Sequence, residues 1–286
     1  MVVGSLNMDL IVRSTRLPAP GQTLTGTGWS TLPGGKGANQ AIAAARAGGR
    51  VQMIGAVGSD EFGAALTGAL TGAGVDDRLV RRIAGPSGVA LITVDDAAEN
   101  TIVVVAGANG AMTTLDDADL AAIVDADLLM LQLEIPLPTV TQAARVAAEA
   151  GVPVLLNPSP VSALPVELVE AVDILVVNQD ESAALGAGRP GGGHVVTTLG
   201  AAGARYAGPS GAVASARPPA VTAVDTTGAG DAFTGALAVA WCRGDEPAAA
   251  LRWACAAGAL ATTVRGAGTA APTATDIDRI IALGPP

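Results

Sequence analysis

The chain has 286 residues, of which 50% are hydrophobic, 15% charged and only 2% aromatic, with a formal net charge of −10. This size and hydrophobic content fit one large domain, spanning residues 1–286, with a sizeable buried core. The acidic charge and the lack of a basic run argue against polyanionic partners, so we expect no binding to nucleic acid or to acidic membranes. Abundant Gly and Ala with few aromatics favour an α/β fold, in which helices pack on a parallel sheet.

The cysteines and the first segment bear on the compartment. Cys242 and Cys255 lie in apolar, helix-like stretches without metal-ligand spacing, so we expect reduced, buried thiols. The opening run MVVGSLNMDLIV carries Asp9 and no basic region, which predicts a first core strand rather than a signal peptide. No uncharged apolar run is long enough to span a bilayer. We therefore expect a cytoplasmic protein.

Apolar strand patterns alternate with helix-like patterns along most of the chain. The predicted strands are residues 1–6, 51–57, 127–133, 152–156, 173–177 and 194–199. The predicted helices are residues 38–48, 60–72, 139–150, 231–243, 247–264 and 275–283. This βαβ alternation predicts a mainly parallel central sheet with right-handed crossovers.

Two regions interrupt this alternation. Residues 10–32 and 86–106 have strand-like patterns without intervening helices. Within the second region, GVALITV (88–94) and TIVVV (101–105) predict a hairpin. We expect these insertions to form a small β-sheet lid over one edge of the main domain.

The sharpest local motif is DTTGAGDAF at 225–233, followed by an uninterrupted apolar helix. Glycines allow backbone N–H groups to approach an anion, and a helix N-terminus favours negative charge, so Gly228, Ala229 and Gly230 suit a transferring phosphoryl group. Asp231 is then placed to take a proton from an attacking hydroxyl. The alternative interpretation is a glycine turn in which Asp231 only caps its helix.

A second glycine-rich turn, PGGKGANQA at 33–41, precedes a predicted helix. It is not a P-loop, because the chain contains no GxxxxGK[ST] motif. Lys36 and Asn39 between glycines suit a polyhydroxylated ligand or a phosphate oxygen approached closely by backbone. Asn7 and Asp9, at the end of the first predicted strand, could add hydroxyl contacts. The alternative for the glycine-rich turn is a flexible loop with a solvated Lys36, and the alternative for Asn7 and Asp9 is a strand-end turn.

Polar residues also follow later strands. Glu134 follows LLMLQL, and Asn178 with Glu181 follow DILVV. Ligands of open α/β sheets bind at the carboxyl ends of strands, so the coincidence of these residues at one edge favours a binding site. For each residue alone, a helix cap or a turn is the commoner explanation.

Two other sequence features give little evidence of a functional site. A literal GxGxxG occurs at 186–191, but it follows a helix-like stretch and opens no helix, so we interpret it as a connecting loop. His194 is the only histidine, which gives little support to a Ser/His/Asp relay or a multi-histidine metal site.

Taken together, the motifs resemble the ribokinase family of carbohydrate kinases over nearly the whole chain. The matching segments, in the family's order, are GSLNMD (4–9), GGKGANQA (34–41), LQLEIP (131–136), NPSP (157–160), NQDE (178–181), TLGAAG (198–203) and DTTGAGDAF (225–233). The resemblance implies a three-layer sandwich with a mainly parallel central sheet and a small β-sheet lid. It also implies an ATP-dependent kinase, with magnesium arriving with ATP, and a homodimer formed through the lid.

The resemblance assigns roles to individual positions. The catalytic base would be Asp231, beside an anion hole of Gly228, Ala229 and Gly230. The sugar would be bound by Asn7, Asp9, Gly35, Lys36, Gly37, Ala38, Asn39, Glu134 and Asp231. ATP would lie along Asn178, Thr198, Leu199, Gly200, Ala201, Ala202, Gly203 and Gly230, with adenine near Cys255. Potassium would be held by Asp225, Thr227, Ala261, Val264, Gly266 and Ala270, and Glu181 would contact magnesium through water.

The sequence departs from the family between Glu181 and Thr198. This segment is shorter than expected, with GAGRPGGGH where a further crossover helix would lie. We expect the nucleotide-side edge of the sheet to be altered. The leading hypothesis is phosphorylation of D-ribose at its 5-hydroxyl, which Lys36 and Asn39 favour. The alternatives are a kinase for another pentose, a deoxyribose or a nucleoside, and a non-catalytic sugar sensor on the same fold.

Overall fold

The computed structural model describes residues 1–97, 99–186, 193–209 and 211–284. The strands within these ranges are β1 (Val2–Val3), β2 (Asn7–Arg13), β3 (Gly28–Gly34), β4 (Gln52–Gly58), β5 (Asp76–Ile83), β6 (Gly88–Val94), β7 (Asn100–Val105), β8 (Leu129–Leu131), β9 (Val154–Leu156), β10 (Ile174–Asn178), β11 (His194–Thr198), β12 (Ala204–Ala207) and β13 (Val213–Ala216). The helices are α1 (Lys36–Arg46), α2 (Glu61–Gly72), α3 (Asp117–Val124), α4 (Leu137–Glu149), α5 (Val166–Ala171), α6 (Gln179–Leu185), α7 (Ala229–Cys242), α8 (Pro247–Ala261) and α9 (Ala274–Ala282). Short 3-10 helices lie at Gly107–Ala111, Gly200–Ala202 and Gly268–Ala270.

The central sheet has the strand order β13-β12-β11-β10-β9-β8-β1-β4-β5. Within the described residues, the seven strands in the order from β5 to β11 run parallel, and β12 pairs antiparallel with both β11 and β13. Strands such as β9 are continuous runs of Val and Leu that are buried along their whole length, as expected where helices cover both faces. The predicted, mainly parallel sheet is therefore confirmed.

Helices form a layer on each face of the sheet, which confirms the three-layer sandwich. One apolar cluster includes buried residues of α1, α2, α7 and α8, and a second includes buried residues of α3, α4 and α5. In the first layer, a Cβ built on Gly235 of α7 would lie 2.7 Å from the backbone N of Ala44 in α1. The small residue at this position lets α1 and α7 touch, so their N-termini are held close together.

A second sheet of four strands, β3-β2-β6-β7, forms the predicted lid. The β6–β7 hairpin is antiparallel, as predicted, whereas β2 and β6 pair in parallel. One detail of the expectation was wrong: Asn7 and Asp9 do not end the first core strand but begin lid strand β2. The reason is that the backbone of Leu6 bonds to the side chain of Asn109 in both directions, which interrupts the core strand.

The shortened segment after β10 still completes a parallel crossover. β10 and β11 pair over five residues and are connected through α6. The GAGRPG segment at 186–191, which we interpreted as a loop, lies outside the described residues beyond Gly186. A groove of about 860 Å³ is lined by Gly186, by α6 and by β11, β12 and β13. Across the described ranges, no helix is long and apolar enough to cross a membrane.

Candidate active site

The carboxyl ends of neighbouring parallel strands bring polar side chains to one edge of the central sheet. Glu134, Asn157, Asn178 and Thr198 follow or end β8, β9, β10 and β11, which are adjacent in the sheet. Side-chain bonds join neighbouring strands at this edge: Asn157 Nδ2 donates to the carbonyl of Val176 at 3.0 Å. This is the edge at which open α/β sheets bind ligands. The 860 Å³ groove is lined by none of these four residues, so we place the candidate site at the strand ends instead.

Asp231 lies at the start of α7, facing α1. Its side chain is buried, and its two carboxylate oxygens accept hydrogen bonds from consecutive residues of α1. Asn39 Nδ2 donates to Oδ2 at 3.1 Å, and Gln40 Nε2 donates to Oδ1 at 3.0 Å. The N-cap of α7 is Gly228, and it has no side-chain cap hydrogen bond. The interpretation of Asp231 as a helix cap is therefore wrong, because its carboxylate is bound by another helix.

The turn before Asp231 has the geometry of an anion-binding helix N-terminus. Gly228 adopts a left-handed conformation, with φ of 74° and ψ of 0°. A Cβ built on it would lie 2.6 Å from the Cα of Ala267, so no other residue fits without moving the backbone. N–H groups in the first turn of a helix have no intrahelical acceptor and favour negative charge. Gly228 and Gly230 can therefore present N–H donors beside Asp231, whereas the Ala229 N–H donates to the carbonyl of Thr226 at 3.3 Å.

The N-terminus of α1 forms the opposite wall and is tied to Glu134. Gly35, the N-cap of α1, has φ of 88°, and a Cβ built there would lie 2.6 Å from the backbone N of Asn7. The Glu134 carboxylate accepts from the backbone N of Lys36 at 3.0 Å and from Ser5 Oγ at 2.5 Å. The same oxygen accepts from Asn7 Nδ2 at 3.3 Å. Glu134 thus connects the main sheet, α1 and the lid.

The lid contributes Asn7 and Asp9 from β2. Asn7 Oδ1 accepts from Asn109 Nδ2 at 2.8 Å, and the carboxylate of Asp9 packs directly against Gly34 of the adjacent strand. Burial, followed by the negative charges of Glu134 and Asp231, raises the pKa of Asp9 to about 7. Several carboxylates at one site suit a ligand that donates hydrogen bonds, as the hydroxyls of a sugar do.

The predicted nucleotide residues lie further along the sheet edge. Asn178 and Glu181 form a capping box on α6: Asn178 Oδ1 accepts from the Glu181 N–H at 2.7 Å, and Glu181 Oε2 accepts from the Asn178 N–H at 2.8 Å. The structure thus gives both residues a capping role. Thr198 ends β11, and the turn after it consists of half-buried Leu199, exposed Gly200, Ala201 and Ala202, and buried Gly203.

Cys255 does not face an open site. It is buried in α8, and its thiol lies 3.8 Å from the carbonyl oxygen of Ala216 in β13. Burial raises the pKa of this thiol to about 12, so it stays protonated. A Cβ built on Gly203 would overlap the same carbonyl oxygen, which places Cys255 behind the 199–203 turn. Cys242, which we expected to be buried, is exposed at the end of α7.

The residues predicted to hold potassium lie on two segments, which are hydrogen-bonded to each other and to α1. The Asp225 carboxylate accepts from the backbone N of Thr227 at 3.0 Å and of Gly266 at 3.2 Å. Burial raises the pKa of Asp225, but these hydrogen bonds and nearby Arg13 of the lid outweigh that effect and lower it, so the carboxylate is charged. Gly268 donates its N–H to Asn39 Oδ1 at 3.0 Å. The same Asn39 therefore contacts this segment and Asp231.

Three other predicted cation ligands lie on the segment from the end of α8 to Ala270, in which the Thr262 carbonyl accepts from the Asp225 N–H at 3.0 Å. Ala261 ends α8, where carbonyls lack intrahelical donors, and Ala270 ends a 3-10 helix. Val264 lies between them and is exposed. Among the described residues, no group of three or more His, Cys, Asp and Glu is arranged to hold a metal. A carboxylate and backbone carbonyls are oxygen donors, which suit hard cations rather than the softer metals that thiolates bind.

Comparison with known proteins decides the family. Residues 1–274 match the profile of the pfkB family of carbohydrate kinases. The chain belongs to this family. It is 37% identical to the ribokinase of Bacillus subtilis (strain 168), with 98% of each chain covered, and 32% identical to the deoxyribokinase of Salmonella typhi, with 99% and 98% covered. It also superposes on the Arabidopsis thaliana ribokinase complexed with ribose and ATP, with a TM-score of 0.90, 33% identity, and 98% and 97% of the chains covered.

The structure adds residues to the candidate site that sequence reasoning missed. Ser5 and Asn109 hold Glu134 and Asn7, while Gln40 bonds to Asp231. Ser5 and Gln40 lie inside the motifs GSLNMD and GGKGANQA, so proximity to predicted site residues was the available signal. Asn109 lies in a 3-10 helix far along the chain, and only the fold brings it to Asn7.

Proposed function

We propose that this carbohydrate kinase phosphorylates D-ribose at its 5-hydroxyl, producing D-ribose 5-phosphate and ADP from ATP. The observation that carries the proposal is the position of Asp231, a buried carboxylate held by α1 at the N-terminus of α7. The 5-oxygen would attack the γ-phosphorus while the bond between that phosphorus and the β,γ-bridging oxygen breaks. The hydroxyl proton would pass to Asp231.

The sugar would lie between the lid and the N-terminus of α1. Asn7, Asp9 and Glu134 supply oxygens that accept from hydroxyls, and Lys36 with Asn39 supplies donors. Gly35, Gly37 and Ala38 contribute close backbone rather than functional groups. Supporting this, Asn7, Glu134 and Lys36 are connected through direct hydrogen bonds around one carboxylate oxygen.

ATP would lie along Asn178, Thr198 and the turn from Leu199 to Gly203, with the γ-phosphate at Gly228 to Gly230 and adenine on the outer side of the turn, which separates it from buried Cys255. Magnesium bound to ATP would neutralise charge on the transferring group. Glu181 uses Oε2 in its own helix cap, so a contact with the metal's water shell would involve its other oxygen.

The cytoplasmic location expected from the sequence also stays a prediction.

A coupled assay of ADP release across pentoses, deoxyribose, hexoses and nucleosides tests the proposal. We expect ribose to give the highest kcat/KM. The likeness to a deoxyribokinase makes deoxyribose the second candidate, so the ratio of kcat/KM for these two sugars is the decisive number. A higher efficiency on a nucleoside or hexose would overturn the ribose assignment. Sugar binding without ADP release for any acceptor would instead support the sensor alternative.

We expect turnover to increase when potassium replaces choline. The carboxylate of Asp225 and the carbonyls near Gly266 would hold the ion, and the hydrogen bond from Gly268 to Asn39 would connect that segment to the sugar site. The measurement is a potassium titration of the initial rate, with the Asp225→Ala variant as the control that should lose activation. A flat titration of the unmodified protein would contradict the site.

Ribose affinity should depend on pH through Asp9. Sugar hydroxyls that donate to its carboxylate favour the charged form, so the complex has a lower pKa than the free protein, where it is about 7. Affinity therefore rises with pH through this value and levels off above it, and should be roughly tenfold weaker at pH 6 than at pH 8. Calorimetric titration with ribose between pH 6 and pH 8 measures this dependence. The Asp9→Asn variant should bind more weakly and without this pH dependence, and the same slope in that variant would contradict the assignment.

We also expect the chain to form a homodimer through the lid. β7 is an edge strand of the lid, and Ile102, Val103, Val104 and Val105 on it are all about half exposed. Edge strands with consecutive apolar residues pair readily with another strand. Sedimentation at micromolar concentration should show a dimer that the Val103→Lys substitution converts to a monomer. A monomeric unmodified chain would refute this arrangement.

A further inference from the structure

A chain of buried amides extends from Asp231 into the core. Gln40 Nε2 donates to Asp231 Oδ1 at 3.0 Å and to Asn157 Oδ1 at 3.1 Å. Gln132 Nε2 donates in turn to Gln40 Oε1 at 2.7 Å. Gln40 and Gln132 are completely buried, so neither has water as an alternative partner. The proposed reaction assigns no role to either glutamine.

The donor and acceptor orientation of each amide follows from the chemistry of its partners. An ionised carboxylate only accepts hydrogen bonds, so Gln40 must turn its NH₂ group toward Asp231. Its oxygen then points the other way and requires a donor, which is the NH₂ group of Gln132. Asn157 uses its own NH₂ on the carbonyl of Val176, so its oxygen also faces Gln40. Each amide is thereby fixed in one orientation.

Gln132 makes this arrangement at a cost in stability. Its Oε1 is a buried atom without a hydrogen-bond partner in the described part of the chain, and it packs tightly against Gly4. A buried polar atom without a partner is unfavourable, and an apolar side chain of similar shape would avoid this. What the amide provides instead is a directed donor to Gln40.

We propose that Gln40 and Gln132 are positioning residues that fix the catalytic orientation of Asp231. Asn39 holds one carboxylate oxygen and Gln40 the other, so the carboxylate cannot rotate while both bonds persist. Gln132 acts indirectly, because its hydrogen bond holds Gln40 in place. A base fixed in line with the attacking hydroxyl needs less reorganisation in the transition state. This inference rests on the proposed function, in which Asp231 is the base.

The Gln40→Met substitution removes the donor and keeps a side chain of similar size. We expect kcat to fall about 10- to 100-fold, the range for losing one hydrogen bond to a charged group. The KM for ribose should stay within about twofold, because this buried side chain is separated from the sugar by Asp231 and Asn39. A change in KM with kcat unchanged would overturn the inference.

Gln132→Met tests the indirect step. It removes one unpaired buried oxygen and leaves another on Gln40, so its melting temperature should change little while kcat falls. The double variant should have the same kcat as Gln40→Met, because Gln132 acts only through Gln40. Multiplicative effects of the two substitutions on kcat would show that they act independently and would overturn the inference.

Gln52→Met is the matched control. Gln52 begins β4, at the end of the strand opposite the candidate site, and its amide bonds to Asp76 at 3.3 Å. It should keep full turnover. If Gln40→Met does not fold, Gln132→Met carries the test alone. Full turnover of Gln132→Met beside an inactive Asp231→Asn would overturn this inference and leave the proposed function standing, whereas full turnover of both variants would remove the proposed base as well.

Discussion

Replacing Asp231 by Asn is expected to lower kcat roughly 10²–10⁴-fold, the usual effect of removing a general base. Asn keeps the size of the side chain but cannot accept the proton of the 5-hydroxyl. The affinity for ribose should change far less, because Asn7, Asp9 and Glu134 still accept from the other hydroxyls. Turnover and sugar-binding calorimetry on the same preparation measure the two effects separately.

The structure also predicts how this variant affects stability. Asp231 accepts from NH₂ groups of both Asn39 and Gln40, so an introduced amide must place its own NH₂ against one of them. We expect a loss of about 1–3 kcal/mol in the free energy of unfolding, as for a buried group without a partner. Thermal melting shows whether the variant is folded under assay conditions.

Asp116→Asn is the control for a true cap. Asp116 is the exposed N-cap of α3 and accepts from the backbone N of Ala118 and of Asp119, each at 3.0 Å. This variant should keep the turnover of the unmodified protein. A folded, sugar-binding Asp231→Asn variant with full turnover would contradict the assignment of the base.

The sequence predicted the core strands because their pattern is strong. Val154–Leu156 and its neighbours are apolar runs between helix-like segments, which only a covered parallel strand explains. Strand β5, by contrast, has the mixed sequence DDRLVRRI at the edge of the sheet. Edge strands tolerate charged residues, so their sequences resemble loops, and β5 was not predicted. Strands β12 and β13, at the other edge, were missed as well.

The candidate site was predicted where function requires unusual residue types. Gly35 and Gly228 have positive φ and approach Asn7 and Ala267 closely, so the glycines that mark these two turns also meet a backbone requirement. Gln40 and Gln132 gave no such signal, since a glutamine in a helix or after a strand is most often exposed. Their importance depends on contacts between residues separated by 92 and 191 positions, which only the folded chain reveals.

Gly230→Ala should separate activity from stability more cleanly than any other substitution at this site. Gly230 is the second residue of α7, and a Cβ built on it would have no atom within 4 Å. Replacing a helical glycine by alanine is favourable by up to about 1 kcal/mol, so the variant should melt at the same temperature or higher. The open space in front of Gly230 is where the transferring phosphoryl group would lie.

A methyl group in that space would displace the phosphoryl oxygens from the N–H donors of the turn. Removing one such donor from a transition state lowers kcat roughly 10²–10³-fold, and we expect Gly230→Ala to lose activity by this amount. Gly228→Ala is the contrasting variant: its Cβ would overlap Ala267 and its φ is positive, so it should lose stability as well as activity. Initial rates and thermal melts of both variants provide the comparison. Full turnover in a stable Gly230→Ala protein would mean that the phosphoryl group does not approach this turn, because the added methyl group would then stand clear of the reacting atoms.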